Sequence, residues 1–292
     1  MKKRAIVLLL AILCIVSLVG CAPEAAPQAE LSAPAATEAA EPSAPAEASE
    51  EPAAPAEKSS LDLIKEKGSF TYALSGSYPP FNYIDEETGA VIGFDVDIAN
   101  ALADVIGVKA EAVTTQWDGI LGGLTGGRFD TIIGSMAITE ARLQEVNFSA
   151  PYYYDGAQFF TTADAGYNSI EDLVDGKVGV VTGTTFDELL QTLPNVAEIL
   201  HFDGDIENFM AVGQGRADGL VTSRFVGLQA PEEYKIVPCG PLLYTENIGI
   251  AIRKEDTELL QAINDALKTI VENGTYDEIS QKWFGTNILE KE

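Results

Sequence analysis

Three short stretches carry side chains that could act together on a small anion. In Asp130-Thr-Ile-Ile-Gly-Ser-Met-Ala-Ile-Thr-Glu-Ala-Arg142, a β-rich run passes Gly134, Ser135 and Ala137, and Thr139 then offers an N-cap for a helix. The first turn of that helix presents Arg142. A guanidinium there can hold a carboxylate through two parallel hydrogen bonds, a geometry Lys does not match. The same spacing also suits a surface Arg paired with Glu140 or Glu145, and taken alone it favours that reading. In Lys177-Val-Gly-Val-Val-Thr-Gly-Thr-Thr-Phe186, a strand passes through Gly183-Thr184-Thr185 into a helix. Backbone N–H groups and hydroxyls at such a start suit a carboxylate or phosphate, and an ordinary Thr-capped turn has the same pattern. The third stretch is Ser77-Tyr-Pro-Pro-Phe-Asn82 together with Trp117, aromatics that can wall an apolar pocket or pack in a core.

Other chemistries are short of parts. The chain has 292 residues with one His and three Cys, too few for a zinc finger or a His-rich metal site, and no cofactor is expected. His201 stands apart from any catalytic constellation and reads as structural. Cys239, between Pro238 and Gly240, reads as a small packed residue. The 18 Lys and Arg against 45 Asp and Glu give a formal charge of −27, which opposes nucleic-acid binding and charge-driven attachment to anionic lipid.

Strands and helices alternate around the three stretches. Strands are predicted at Phe70–Leu74, Lys109–Val113, Asp130–Gly134, Lys177–Val181, Glu198–Phe202, Gly219–Thr222, Tyr234–Val237 and Ile248–Ile252. Helices are predicted at Asp95–Ile106, Trp117–Leu124, Phe186–Leu193, Ile206–Val212, Arg224–Gln229, Thr257–Glu272 and Tyr276–Trp283. This order implies an α/β protein with parallel sheets, which bind ligands beyond the carboxyl ends of their strands.

The N-terminus is a different material. Lys2, Lys3 and Arg4 precede an apolar run from Ala5 to Val19, the pattern of a secretory signal and short of a membrane span. Leu18-Val19-Gly20-Cys21 resembles a bacterial lipobox, which makes residues 1–20 a signal peptide and Cys21 the lipid-bearing (palmitate) residue. Residues 22–58 hold 15 Ala, 8 Glu and 7 Pro, a composition that cannot bury enough surface to fold, so 21–58 is expected to be a disordered tether.

Together the motifs resemble the polar amino-acid-binding family of ABC-transporter solute-binding proteins. The resemblance rests on Tyr78-Pro-Pro-Phe81, Gly93-Phe-Asp-Val-Asp97, Trp117-Asp-Gly-Ile-Leu121, Ile138-Thr-Glu-Ala-Arg142, Phe148-Ser-Ala-Pro-Tyr152, Val178-Gly-Val180, Gly183-Thr-Thr185 and Gly215-Arg-Ala-Asp218, and covers residues 61–286. It implies a two-lobed, type II periplasmic-binding-protein fold with parallel-rich sheets joined by two crossing strands. Lobe one would take 61–157 plus 248–292, and lobe two 158–247. The resemblance also reverses the isolated readings of Arg142 and Thr185. Arg142 would grip a ligand carboxylate, helped by groups near Gly134, Ser135, Ala137, Thr184 and Thr185, while Tyr78 and Trp117 sandwich the other end. Implied partners are a small amino-acid-like ligand, an ABC permease and its ATPase, for a monomer lipid-anchored on the extracytoplasmic side of the bacterial membrane.

One position departs from that pattern. Where the family usually carries an Asp for the ligand ammonium, this chain has Ser223, followed by Arg224. Either another acid such as Glu246 takes the role, or the ligand is a dicarboxylate, keto acid or modified amine. Ser75 stands where binders of basic amino acids often have an Asp, which argues against a Lys-like or Arg-like ligand. A dehydratase-like enzyme on the same fold is the alternative class, but the sequence offers it no nucleophile or catalytic pair.

Overall fold

The computed structural model describes residues 58–290. The leader over 1–20, Cys21 and the tether as far as residue 57 lie outside them. In chain order the first elements are α1 (Ser60–Lys67), β1 (Ser69–Leu74), β2 (Ser77–Tyr78), β3 (Asn82–Ile84), β4 (Val91–Ile92), α2 (Phe94–Ile106) and β5 (Lys109–Thr114). Then come α3 (Ile120–Thr125), β6 (Thr131–Ala137), α4 (Glu140–Glu145), β7 (Val146–Phe148), β8 (Tyr153–Thr162), β9 (Gly176–Val181), α5 (Thr185–Leu190) and β10 (Val196–Phe202). The last are α6 (Asp205–Gly213), β11 (Gly219–Ser223), α7 (Arg224–Gly227), β12 (Ile236–Pro238), β13 (Tyr244–Arg253), α8 (Thr257–Glu272) and α9 (Thr275–Phe284).

The main sheet runs β10-β9-β11-β8-β13-β6-β1-β5. Parallel pairs dominate each end, β10 and β11 on β9 and β5 and β6 on β1. The middle is antiparallel: β8 and β13 face each other from Tyr244↔Ala157 to Ile248↔Tyr153. Beyond that overlap β8 continues to pair with β11, and β13 with β6. These are the two crossing strands of the two-lobed α/β fold, so the sheet is mixed rather than wholly parallel.

Local chemistry explains the boundaries. Gly93, at φ 136°, admits the start of α2 where a Cβ would lie 2.1 Å from the Phe81 carbonyl oxygen. Helix α8 buries Leu259, Ile263, Ala266, Leu267 and Ile270, one face of a 3.6-residue period. One lobe packs on Phe159, Val178, Val180, Phe186 and Val221. In the other, buried rings of Phe81, Phe94, Tyr152, Tyr153 and Tyr276 cluster, with Phe81 stacked 4.7 Å from Tyr153.

Several expectations need correction. Strand β8 was not foreseen: its residues are buried on both faces, so the polar–apolar alternation that marks a half-exposed strand is missing. Trp117–Gly119 is a 3₁₀ turn ahead of α3, not the start of a regular helix. Tyr234 closes another 3₁₀ turn, and Lys235 at φ 51° breaks the chain before β12 begins. Among the described residues no helix is long and apolar enough to cross a membrane.

Candidate functional site

A cavity lies beyond the carboxyl ends of β1, β6, β9 and β10. Tyr78, Trp117, Gly134, Ser135, Ala137, Arg142, Thr184 and Thr185, the residues singled out above, all line it. They arrive from both ends of the sheet. Ser223 does not line it.

Arg142 sits in the first turn of α4, which Thr139 caps by accepting from the Arg142 N–H at 3.2 Å. Its Nη1 donates to the Ala137 carbonyl at 2.9 Å, and its guanidinium carbon lies 5.9 Å from the centre of the Trp117 ring. Burial lowers its pKa, while the charges of Glu246 and Glu188 oppose that shift. The guanidinium thus faces acids from the other wall and the crossing strand, rather than Glu140 or Glu145 beside it in sequence. Gly134 lets β6 approach β1, since a Cβ there would stand 3.0 Å from the Leu74 Cα.

Ser135 is less available than its sequence position suggests. At φ 64° it turns its hydroxyl inward to donate to Asp95 at 2.8 Å, and its N–H donates to the Tyr152 hydroxyl at 3.0 Å. The fully buried Asp95 also accepts from Tyr152 and from Asn82, each at 2.7 Å. Burial pushes its pKa up to about 6 against those three hydrogen bonds. Asn82 in turn accepts from Ser75 at 3.1 Å and from the Gly76 N–H at 3.0 Å, fixing the loop before Tyr78.

On the opposite wall the Thr184 hydroxyl caps α5, accepting from the Asp187 N–H at 3.2 Å and donating to the Val181 carbonyl at 2.8 Å. Asp187 accepts from the Gly183 N–H at 3.2 Å and stands 3.0 Å from His201 Nε2. Two of the donors expected for an anion are therefore engaged within this lobe. His201 supports the turn from behind. Thr185 reaches across, donating to Glu246 at 2.5 Å.

Ser223, expected as a ligand contact, is 1% exposed and occupied elsewhere. It caps α7 by accepting from the N–H groups of Phe225 and Val226 at 3.2 and 3.3 Å, and its hydroxyl donates to Asp155. The Tyr78 hydroxyl is also hydrogen-bonded with Ser223. Arg224 Nε lies 3.5 Å from the same Asp155, and the guanidinium covers the Phe225 ring at 4.6 Å. Burial drives Asp155 up to about 7, against Ser223, the Gly156 N–H and Arg224. Directly opposite Asp155 on the crossing pair is Glu246. Burial raises its pKa too, while Thr185, Arg142 and Tyr244 lower it and the Glu188 charge adds to the rise. Asp203 and Asp205 complete the acidic lining.

Two lobes thus meet over a cavity whose one basic side chain is ringed by small and aromatic residues. The family model for bacterial extracellular solute-binding proteins, family 3, matches residues 70–286. The chain belongs to that family. It is 31% identical over 232 residues to the L-cystine-binding protein TcyJ of Escherichia coli, covering 78% of this chain and 87% of that one. Over 229 residues it is 32% identical to an L-arginine-binding protein of Pseudomonas aeruginosa, covering 74% of this chain and 87% of the relative. Among solved structures, an ancestral amino acid-binding protein, a precursor of cyclohexadienyl dehydratase, superposes with a TM-score of 0.73 at 38% identity. That match covers 77% of this chain and 100% of the other.

Proposed function

We propose that this protein binds the zwitterionic head of an amino acid between Arg142 and Glu246 and presents it to an ABC permease. The observation that carries the reading is the pairing of opposite charges in one cavity. Arg142 and Glu246 are close enough for each to favour the other's ionised form. Arg142 takes the carboxylate, with its guanidinium held in place by the Ala137 carbonyl. Glu246, supported by Thr185, takes the ammonium and fills the role left open at Ser223. Tyr78 and Trp117 enclose the rest of the ligand, and Gly134, Ser135, Ala137 and Thr184 shape the wall.

Capture proceeds by hinge closure about β8 and β13. The lobes divide at 61–157 plus 248–292 and at 158–247, boundaries that fall within these two strands. The leader exports the chain and Cys21 carries the acyl anchor. Names of the relatives, binders of cystine and arginine, support an amino-acid ligand over a dicarboxylate or keto acid.

A melting-shift screen on protein unfolded and refolded to strip carried ligand tests the reading. The panel holds the twenty amino acids, dicarboxylates and keto acids. A ligand at 100 times its Kd should add about 2.7 kcal/mol of apparent stability. Shifts with amino acids are expected; shifts with amine-free acids alone would overturn the reading.

A further inference from the structure

Behind the wall at the ends of β1 and β6 stands a carboxylate that does not line the cavity. Asp95, in the first turn of α2, is 0% exposed. Its Oδ2 accepts from the Asn82 amide at 2.7 Å and from the Ser135 hydroxyl at 2.8 Å, and its Oδ1 accepts from the Tyr152 hydroxyl at 2.7 Å. Burial raises its pKa, and these three hydrogen bonds, rather than a positive charge, oppose the rise. A carboxylate suits three donors because both of its oxygens only accept, whereas an amide in its place would aim N–H groups at one of them.

Two of the three partners lead to the cavity by separate routes. Asn82 accepts from the Ser75 hydroxyl and the Gly76 N–H on the loop that carries Tyr78. The start of α2 holds the same loop through its backbone, the Phe94 N–H donating to the Pro80 carbonyl at 3.0 Å and the Asp95 N–H to the Phe81 carbonyl at 2.8 Å. The other route is Ser135. Among the described residues three that are not glycine have positive φ, Ser135, Asp175 and Lys235, and of these Ser135 lines the cavity. A residue with a Cβ stays in that region only where its surroundings hold it. Here Asp95 holds the hydroxyl and Tyr152 the N–H. Further along the same strand, the Ala137 carbonyl accepts from Arg142 Nη1.

We propose that Asp95 is a positioning residue for the binding site, a brace that fixes the Tyr78 loop and the Ser135 turn relative to each other and so sets where Arg142 stands. The inference rests on the amino-acid reading of this cavity and adds a residue outside its lining. An acid in the first turn of a helix ordinarily serves that helix alone, from the solvent side. Asp95 instead spends its side chain on two cavity-lining segments distant in sequence.

Hydrogen exchange on the stripped, ligand-free protein and calorimetry together test the proposal. In Asp95→Asn the Gly76 and Ser135 amides should exchange about tenfold faster or more, the scale of a lost hydrogen bond to a charged group. The Val178 and Val180 amides, in the core of the other lobe, should keep their rates, which a general loss of stability would raise as well. Affinity for whichever of the twenty amino acids gives the largest melting shift should fall about tenfold, the scale of re-ordering one or two side chains on binding. Glycine adopts a positive φ unaided, so in a Ser135→Gly background the Asp95→Asn loss should shrink about threefold or more. Should Asp95→Asn not fold, Tyr152→Phe, which removes one arm of the brace and the acceptor of the Ser135 N–H, should give the same local exchange. Native affinity in folded Asp95→Asn, equal losses in both backgrounds, or exchange raised in both lobes alike would overturn the proposal and leave the amino-acid reading intact. No melting shift with any amino acid would overturn that reading, and the exchange pattern alone would then decide for or against the brace.

Discussion

On the wall built at the ends of β1 and β6, Ser75, Ser135 and the Arg142 helix are tied down by Asn82, Asp95 and Thr139. The wall at the ends of β9 and β10 has the same strand-to-helix turns, and there Asp205 is buried at a helix start with Thr222 and Asn208 beside it. The two also differ in charge. The first contributes the only cation of the lining and the second contributes aspartates, with Glu246 on the strand between them. On the zwitterion reading, the first wall orients the ligand carboxylate and the acids face it from the other side. On the proposed reading, closure about β8 and β13 depends on a ligand that carries both charges.

Removing the fixed cation should do most damage. Arg142→Met is expected to weaken binding at least 30-fold and as much as roughly a thousandfold by calorimetry, as for other buried ion-pair truncations. The ligand-free protein should melt somewhat lower, because the Ala137 carbonyl and Glu246 each lose the guanidinium. Glu246→Gln should separate the two properties. Affinity is expected to fall about 30-fold. The ligand-free protein should melt higher, since a carboxylate opposite Asp155 is removed.

A smaller effect is expected where the walls touch. Gly204 has an extended backbone, φ −157°, so alanine introduces no backbone strain. Its Cβ would meet Ser77 and hold the walls apart. Overpacking of this kind costs about 1–3 kcal/mol, to be read as a loss of affinity with little change in ligand-free stability.

A separate effect is on pH dependence. Asp95, at about 6, and Asp155 and Asp205, at about 7, all have folded-state pKa values raised by burial above the unfolded value near 4. Their protonated forms favour the native state. The stability they contribute is full below about pH 4 and is lost as pH rises through about 6 to 7. Melting of the ligand-free protein should therefore rise as pH is lowered from 8 to 5, whereas a fall over that range would contradict these assignments.

Much of this was legible in the chain because the local signals are strong. Strands β1, β5, β9 and β10 announce themselves by runs holding β-branched or aromatic residues, and Thr139 and Thr184 by their capping positions. Strand β8 was hidden because burial on both faces removes its alternation. The acids show what spacing cannot carry. Asp155 meets Ser223 from 68 residues away, and Glu246 meets Thr185 from 61, so only the crossing of β8 and β13 brings them together. Asp205 had a local signal, a strand–glycine–acid–helix turn like that at Gly183-Thr184, but an acid at a helix start usually lies in water. Here it is buried beside Thr222 and Asn208, residues 17 and 3 positions away.

The central claim is that Arg142 and Glu246 divide a zwitterion between them. It is tested most directly by titrating the stripped protein with the amino acid that gives the largest melting shift, and with the α-hydroxy acid of the same side chain. The hydroxy acid keeps the carboxylate and removes the ammonium. A loss of roughly 30-fold or more in affinity is expected in the native protein, shrinking to a few-fold in Glu246→Gln, as for a buried charge pair read from either side. Equal binding of the two compounds by the native protein would mean that Glu246 does not hold the ammonium, and the account would fail.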